Sequence, residues 1–304
     1  MPIERRHILL APAAAAAAPS TPVPTIDSHF HLYDQSRPQG APFPFVPNQT
    51  PFLPKDFRAS AQAVGICGGI KVEASPWVED NLWVLMQIES EPMIVGMVGN
   101  LDPVKPEFRE YLDRYRKNKL FLGIRYGNVW KEHDLVSAVH RPEFIDNMKA
   151  YADTGLVLEV ANPRVDLMEA TLRLKEKVPG LRIVLGHLQA MGLPTDPGVR
   201  AGFERTLREL KARGAYVKMS GLYKPRTATA LEAKDYLPVM DFIWDIFGED
   251  LLIYSGRSKA TLEILQAYFL KKGRPAAEKY FWKNSVRAFR WARRDPGQPD
   301  PAQA

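Results

Sequence analysis

Short apolar runs rich in β-branched residues alternate with longer segments of helical period from about residue 25 to about residue 270. The strand-like runs are Thr25–His31, Gly69–Ala74, Ile94–Leu101, Phe121–Tyr126, Leu156–Val160, Leu181–Leu188, Ala215–Ser220 and Leu251–Ser255. They read as continuous hydrophobic runs, as parallel strands covered on both faces do. Helical patterns fill most gaps: Glu79–Ser90, Lys105–Lys117, Pro142–Asp153, Val165–Lys177, Val199–Arg213, Tyr236–Phe247 and Thr261–Leu270. Several end at turn signals such as Thr154-Gly155, Pro179-Gly180 and Arg213-Gly214. Eight β-then-α units in about 270 residues predict an α/β protein built as a single TIM-like (β/α)8 barrel. The rival is an open doubly wound sheet, disfavoured because no Gly-x-Gly-x-x-Gly follows the first strand.

Three stretches fall outside this rhythm. Arg37–Pro54 holds six of the 26 prolines together with Phe43, Phe45 and Phe52. Following the first strand of a barrel, it is expected over the mouth, as a substrate lid or a packed surface loop. Residues 1–23 carry Arg5-Arg6, then Ile8-Leu9-Leu10 and six alanines. That reads either as an exported leader of twin-arginine type or as a disordered Ala/Pro tail, with export to the periplasm or a cytoplasmic location following accordingly. The barrel is expected over residues 24–294. Residues 295–304 are too rich in proline to fold and are expected as a disordered tail.

Charge adds little to the fold but narrows the partners. The net charge is +6, and residues 271–304, with nine Lys/Arg and three Asp/Glu, account for all of it. Within that stretch Tyr280, Phe281, Trp282, Phe289 and Trp291 sit among the basic residues. Aromatics mixed with arginines can stack on single-stranded nucleic acid. Phe281, Ser285 and Phe289 recur every fourth residue, however, and predict a docked helix with a solvated basic face. We therefore expect a small-molecule substrate and no nucleic acid. A single cysteine, Cys67, rules out an intrachain disulfide framework and a Cys-based zinc cluster. No apolar run approaches the ~20 residues of a membrane span.

In a barrel, chemistry gathers at the C-terminal ends of the strands. The first strand ends His29-Phe30-His31 and the sixth ends Gly186-His187-Leu188. Side chains two apart on a strand share a face, so His29 and His31 can address one point. Three of the six histidines thus fall at strand ends, while His133 and His140 carry no assigned role. Other strand ends offer Glu73, Arg125, Tyr126, Glu159 and either Lys218 or Ser220. A charge ending an apolar strand is costly to bury unless paired, so Glu73 or Glu159 is either a general base or the partner of Arg125.

Thr25-Ile-Asp-Ser-His29-Phe-His31-Leu-Tyr-Asp34 resembles the opening of the amidohydrolase-related family, which includes sugar-lactone and pyrone-dicarboxylate lactonases and some carboxy-lyases. The similarity continues through Gly68–Ala74, Ile94–Gly99, Gly123–Arg125, Ile183–Leu188, Tyr216–Leu222 and Phe247–Tyr254, spanning residues 24–292 in order. The resemblance implies a distorted barrel of the metal-dependent hydrolase type, with a site using His29, His31, Arg125 and His187. Glu73 and Glu159 are candidate catalytic substitutes. Arg125, Tyr126, Ser220 and Tyr223 are candidate substrate contacts. The cofactor is expected to be none, or one divalent metal (zinc preferred) on His29, His31 and His187. Strand eight departs from the family. Where the family reads close to "YGSDWP", this chain reads Tyr254-Ser255-Gly256-Arg257-Ser258-Lys259, without the Asp that handles the proton. The expected function is a hydrolase opening a small lactone derived from a sugar acid or an aromatic acid. The alternatives are a catalytically impaired or non-catalytic small-molecule binder and a decarboxylase.

Overall fold

The computed structural model describes residues 22–161, 164–188, 193–219 and 232–304. Eight strands follow the predicted runs: β1 Ile26–Phe30, β2 Gly68–Val72, β3 Ile94–Gly99, β4 Phe121–Arg125, β5 Val157–Val160, β6 Arg182–Leu185, β7 Tyr216–Lys218 and β8 Leu252–Ile253. All seven neighbouring pairs are parallel and the sheet order is the chain order, as a barrel requires. The helices are α1 Pro54–Gln62, α2 Asp80–Glu89, α3 Phe108–Tyr115, α4 Leu135–Ala138, α5 Pro142–Asp153, α6 Val165–Lys177, α7 Pro197–Ala212, α8 Ala233–Phe247, α9 Lys259–Lys271, α10 Arg274–Glu278 and α11 Asn284–Phe289. Helices α1 and α4 were not predicted. The first has nine residues and starts with a proline, so its sequence merges with the proline-rich loop before it. The second has only four residues, too few to show a period.

Two apolar layers hold the barrel. Ile26, Ile70, Val72, Val95, Val98, Leu122, Val157, Val184 and Ile253 form one cluster, joined by Trp282, Phe289 and Trp291 from the C-terminal stretch. The aromatic stripe predicted there is thus spent on packing, with Phe281, Ser285 and Phe289 all buried. A larger cluster fills the space between strands and helices. Close approach matters at Gly123, where a Cβ would lie 2.2 Å from the Val157 carbonyl oxygen on the next strand.

The seam between β8 and β1 is closed by the Ser28 backbone N–H and Oγ, which both donate to the Tyr254 carbonyl at 3.2 and 2.7 Å. Buried Asp27 reinforces it. Its Oδ1 accepts from the backbone N–H of His29 and Gly256, and its Oδ2 accepts from Arg257 at 2.9 Å. The Arg257 guanidinium lies 5.3–5.6 Å from the ring centres of Phe30, Phe52 and Phe57. A charge-assisted hydrogen bond to a buried group contributes roughly 1.5–3 kcal/mol, so Arg257→Ala is expected to destabilise the fold by about 2 kcal/mol. Urea unfolding checks this: an unchanged midpoint would mean that Asp27 needs only its backbone donors.

The chain end corrects one expectation. Residues 295–304 are docked. Gln298 is buried and donates through Nε2 to the Pro92 carbonyl at 2.8 Å. Just before them, the Arg294 guanidinium donates to the carbonyls of Ile88, Glu89 and Glu91 around the end of α2. Proline prevents an α-helix through this stretch, which makes only a 3-10 turn at Pro301–Gln303, but side-chain bonds to orphaned carbonyls hold it. Residues 1–21 lie outside the described residues, and with them nearly all of the expected leader or tail. Among the described residues no helix is long and apolar enough to cross a membrane.

Candidate active site

The three strand-end histidines meet in a row with His29 in the middle. Its Nε2 lies 3.3 Å from His31 Nε2 and 3.2 Å from His187 Nε2. A register shift between Asp27 and Phe30 interrupts the pairing of β1 with β2 just before the mouth, where the two rings turn together. His187 reaches them from a left-handed backbone, φ 57°, a conformation that costs a non-glycine residue about 1–3 kcal/mol and tends to cluster at functional sites.

Each ring is steered from behind. Nδ1 of His31 lies 3.1 Å from the Val72 carbonyl, which can only accept, so the proton sits on Nδ1 and Nε2 presents its lone pair. Nδ1 of His29 faces two groups: Glu159 Oε1 at 3.2 Å and Lys218 Nζ at 3.5 Å. Glu159 and Lys218, both fully buried, pair at 2.6 Å, and Lys218 also donates to the Ser28 carbonyl at 2.7 Å. His187 Nδ1 is buried and has no hydrogen-bond partner among the described residues.

All three imidazoles resist protonation. Burial is the first cause for each. For His29 the charges of His187 and Lys218 come next; for His31, that of Arg125. His187 is pushed down to about 3 by burial, then Lys218 and Arg125. Burial also lowers Lys218, against the opposing pull of Glu159. At neutral pH the row is therefore three neutral rings, each with one ring nitrogen that bears a lone pair.

The other expected residues divide. Arg125 is held by Glu73: Nε donates to Oε1 at 2.6 Å and Nη2 to the Glu73 carbonyl at 3.0 Å. Two of its three nitrogens are thus engaged, so the bidentate grip on a substrate carboxylate expected of it is closed along that edge. The second oxygen of Glu73 accepts from the Ser75 N–H and from Trp130 Nε1 at 2.9 Å. Glu73 is placed as the holder of Arg125, and to act as a base it would have to give up these bonds. Tyr126, expected to touch substrate, is buried between the rings of His133 and Phe144, because neighbours on a strand point to opposite sides. Ser220 and Tyr223 lie outside the described residues. Strand eight puts Arg257 where the family's acid would follow, and Arg257 turns to Asp27.

Two features were missed. Trp130 follows β4 in a stretch with no local signal and clamps Glu73. Lys218 was seen only as one of two options on its strand, although a lysine inside an apolar strand demands a buried acid. The 37–54 loop does reach the mouth. A bridge between Tyr33 and Phe52 anchors it, as does Arg37, which pairs with Asp80 at 3.0 Å over the ring of Trp83. The Phe43 ring stands 4.6 Å from that of His31, and Phe45 links Phe43 to Trp130.

Nitrogens bound to a tetrahedral zinc at about 2.0–2.1 Å stand about 3.3 Å apart. Both contacts of His29 match that spacing, and the His31 tautomer is the one a ligand needs. The donor set therefore fits zinc along those two edges. Among the described residues no group of three or more His, Cys, Asp and Glu side chains closes into a metal sphere.

Comparison with known proteins agrees with this architecture. An amidohydrolase from Burkholderia multivorans, solved with HEPES and in another crystal form with zinc, is 18% identical, with a TM-score of 0.75 over 88% of this chain and 99% of that one. Amidohydrolase 2 from Bifidobacterium longum subsp. infantis is 22% identical, with a TM-score of 0.61 over 89% and 100%. A protein from Acinetobacter baumannii described as a probable 2-pyrone-4,6-dicarboxylic acid hydrolase, with citric acid bound, is 13% identical, with a TM-score of 0.67 over 88% and 99%. At such identities these likenesses speak to the fold. No curated protein matches the chain. The amidohydrolase family model matches residues 26–291, nearly the whole barrel with the histidine row inside it, and the chain belongs to that family.

Proposed function

We propose that this protein opens a small lactone, derived from a sugar acid or an aromatic acid, by attack of water on the ring carbonyl. Family membership supports a hydrolase, and one observation carries the finer reading: a row of imidazoles kept neutral beside the charges of Arg125 and Lys218. Ester hydrolysis needs an activated water and positive charge where the carbonyl oxygen becomes an oxyanion. Arg125, fixed by Glu73, supplies fixed positive charge beside the row. The lone pairs of His29, His31 and His187 orient the water, or hold one divalent metal, zinc preferred. Such a metal, when bound, polarises the carbonyl and lowers the pKa of its water from 15.7 toward about 7.

The wall of Phe43, Phe45 and Trp130 favours the aromatic-acid arm, because a flat ring gains from stacking where a polyhydroxylated one loses hydration. Purified protein should be assayed against a panel of sugar-acid and aromatic-acid lactones, with and without added zinc. The expected result is turnover of at least one lactone and a KM for it raised about threefold or more by Phe43→Ala, the size of a modest aromatic contact of roughly 0.5–1.5 kcal/mol. A panel without turnover sinks the reading.

A second reading, a small-molecule binder without turnover, is favoured by strand eight. Arg257 there is committed to Asp27, and no acid from that strand joins the row among the described residues. Ligand-dependent rises in melting temperature without hydrolysis support it, and hydrolysis that depends on His29 removes it.

A further inference from the structure

Lys71 stands on β2 between Ile70 and Val72, which both join the inner apolar cluster, so alternation turns its side chain outward into the layer between β2 and α2. It is 2% exposed, and among the described residues its ammonium makes no hydrogen bond or ion pair. Arg37, from the loop over the mouth, lines the same small cavity. Its side chain is 8% exposed and uses only Nη2, on Asp80 and on the Gly40 carbonyl. Its Nε and Nη1 are buried and have no hydrogen-bond partner among the described residues.

The charges around this cavity do not cancel. Asp80 answers Arg37 and Glu73 answers Arg125, which leaves Lys71 in excess. Burial holds Lys71 down to about 8 although Glu73 and Asp80 pull it up, with Arg125 and Arg37 pulling the other way. The second oxygen of Glu73 is already taken by Ser75 and Trp130. A buried ammonium without a partner is costly, and a water can meet its N–H groups but not its charge. The head of α2 adds no donor, because the N–H groups of Asp80 and Asn81 bond to the carbonyls of Trp77 and Val78. The cavity is thus walled by side-chain donors and carries one positive charge too many. It offers about 10 Å³ to the centre of a water-sized sphere, about one sphere's worth. That suits a monatomic anion, for which the flexible lysine stem can give slightly, and is too small for phosphate, sulfate or a sugar acid.

We propose that Lys71 and Arg37 form a halide site, chloride being the ordinary occupant, which fastens the 37–54 loop to β2. The ion takes hydrogen bonds from Lys71 Nζ and from the unused edge of the Arg37 guanidinium, and it supplies the missing negative charge. The same loop carries Phe43 to His31, so occupancy steadies one wall of the mouth while neither residue touches the substrate. Both are positioning residues. The inference does not depend on lactone hydrolysis, and none of its readouts uses turnover.

The test uses the intact protein at pH 7, with chloride exchanged for methanesulfonate at constant ionic strength. Thermal unfolding and 35Cl line broadening are followed together. The wild type is expected to melt higher as chloride rises, along the curve for a ligand that binds the folded state, and to broaden the chloride line saturably. Lys71→Met is expected to weaken both effects by about tenfold or more, the loss of a charged hydrogen-bond partner. Without chloride it should melt no lower than the wild type, since the unmatched charge is gone. Arg37→Gln frees Asp80 for Lys71 and is expected to abolish both effects; being a loop substitution, it serves where Lys71→Met does not fold. A wild type indifferent to chloride, as a site holding only water would be, overturns the proposal. So does a chloride response that survives in both variants, which belongs to the basic surface instead.

Discussion

Replacing His187 with alanine is expected to lower kcat/KM on the lactone that the panel identifies by about 10²–10⁴-fold, the range for losing a group that handles a proton or stabilises charge in the transition state. The row depends on His187 for one of the two contacts of its central ring. The chain also spends a left-handed backbone to bring the ring there. Strand eight provides no acid to take over, since Arg257 is tied to Asp27. Nor is Glu73 free, with its oxygens on Arg125, Ser75 and Trp130. The effect should fall on kcat more than on KM if the ring acts mainly in the transition state. The fold should survive, because His187 lies at the mouth, only partly buried, and its Nδ1 has no described partner to strand. A variant with unchanged kcat/KM and an unchanged melting temperature would show that the row is architecture, and would move the balance to the binding reading.

What the sequence allowed, and where it stopped, follows from the range of each signal. The strands were legible because burial on both faces forces uninterrupted apolar runs. The pairing of His29 with His31 was legible because a period of two is local. His187 joined them by strand count alone, since a barrel brings every strand end to one rim. Tyr126 was misplaced by the same kind of reasoning: a strand end was taken for the mouth, while alternation sent the side chain into the helix layer beside Phe144. The Lys218–Glu159–His29 contact joins strands β7, β5 and β1 across the barrel, which no local period encodes. Only the cost of an unpaired buried lysine hinted at it. The docked end was missed because proline content was read as disorder, whereas Arg294 and Gln298 dock that end through their side chains and need no regular backbone.

Acid should destabilise the fold from about the ordinary imidazole range downward, and steeply. His29, His31 and His187 are each held below 6.5 in the folded chain, His187 at about 3, and His133 is lowered as well, again first by burial. An unfolded chain binds protons on all of these as the pH falls through about 6.5, while the folded one does not. More protons bound by the unfolded state means that stability falls as the pH falls. The contribution is fully present above about 6.5 and is lost progressively down to the folded values. Each histidine in that window adds a slope of up to about 1.4 kcal/mol per pH unit, so the row alone approaches about 4 kcal/mol per unit at its steepest. Carboxylates add little until the pH nears about 4, which isolates the histidine effect between pH 6 and 5. Urea midpoints measured in half-unit steps from pH 7.5 to 4.5 would read it, on protein treated with a chelator so that bound metal does not steepen the slope. His187→Gln should remove one proton's share of the dependence, and a midpoint flat between pH 6.5 and 5 would mean that the rings are solvated enough to titrate normally.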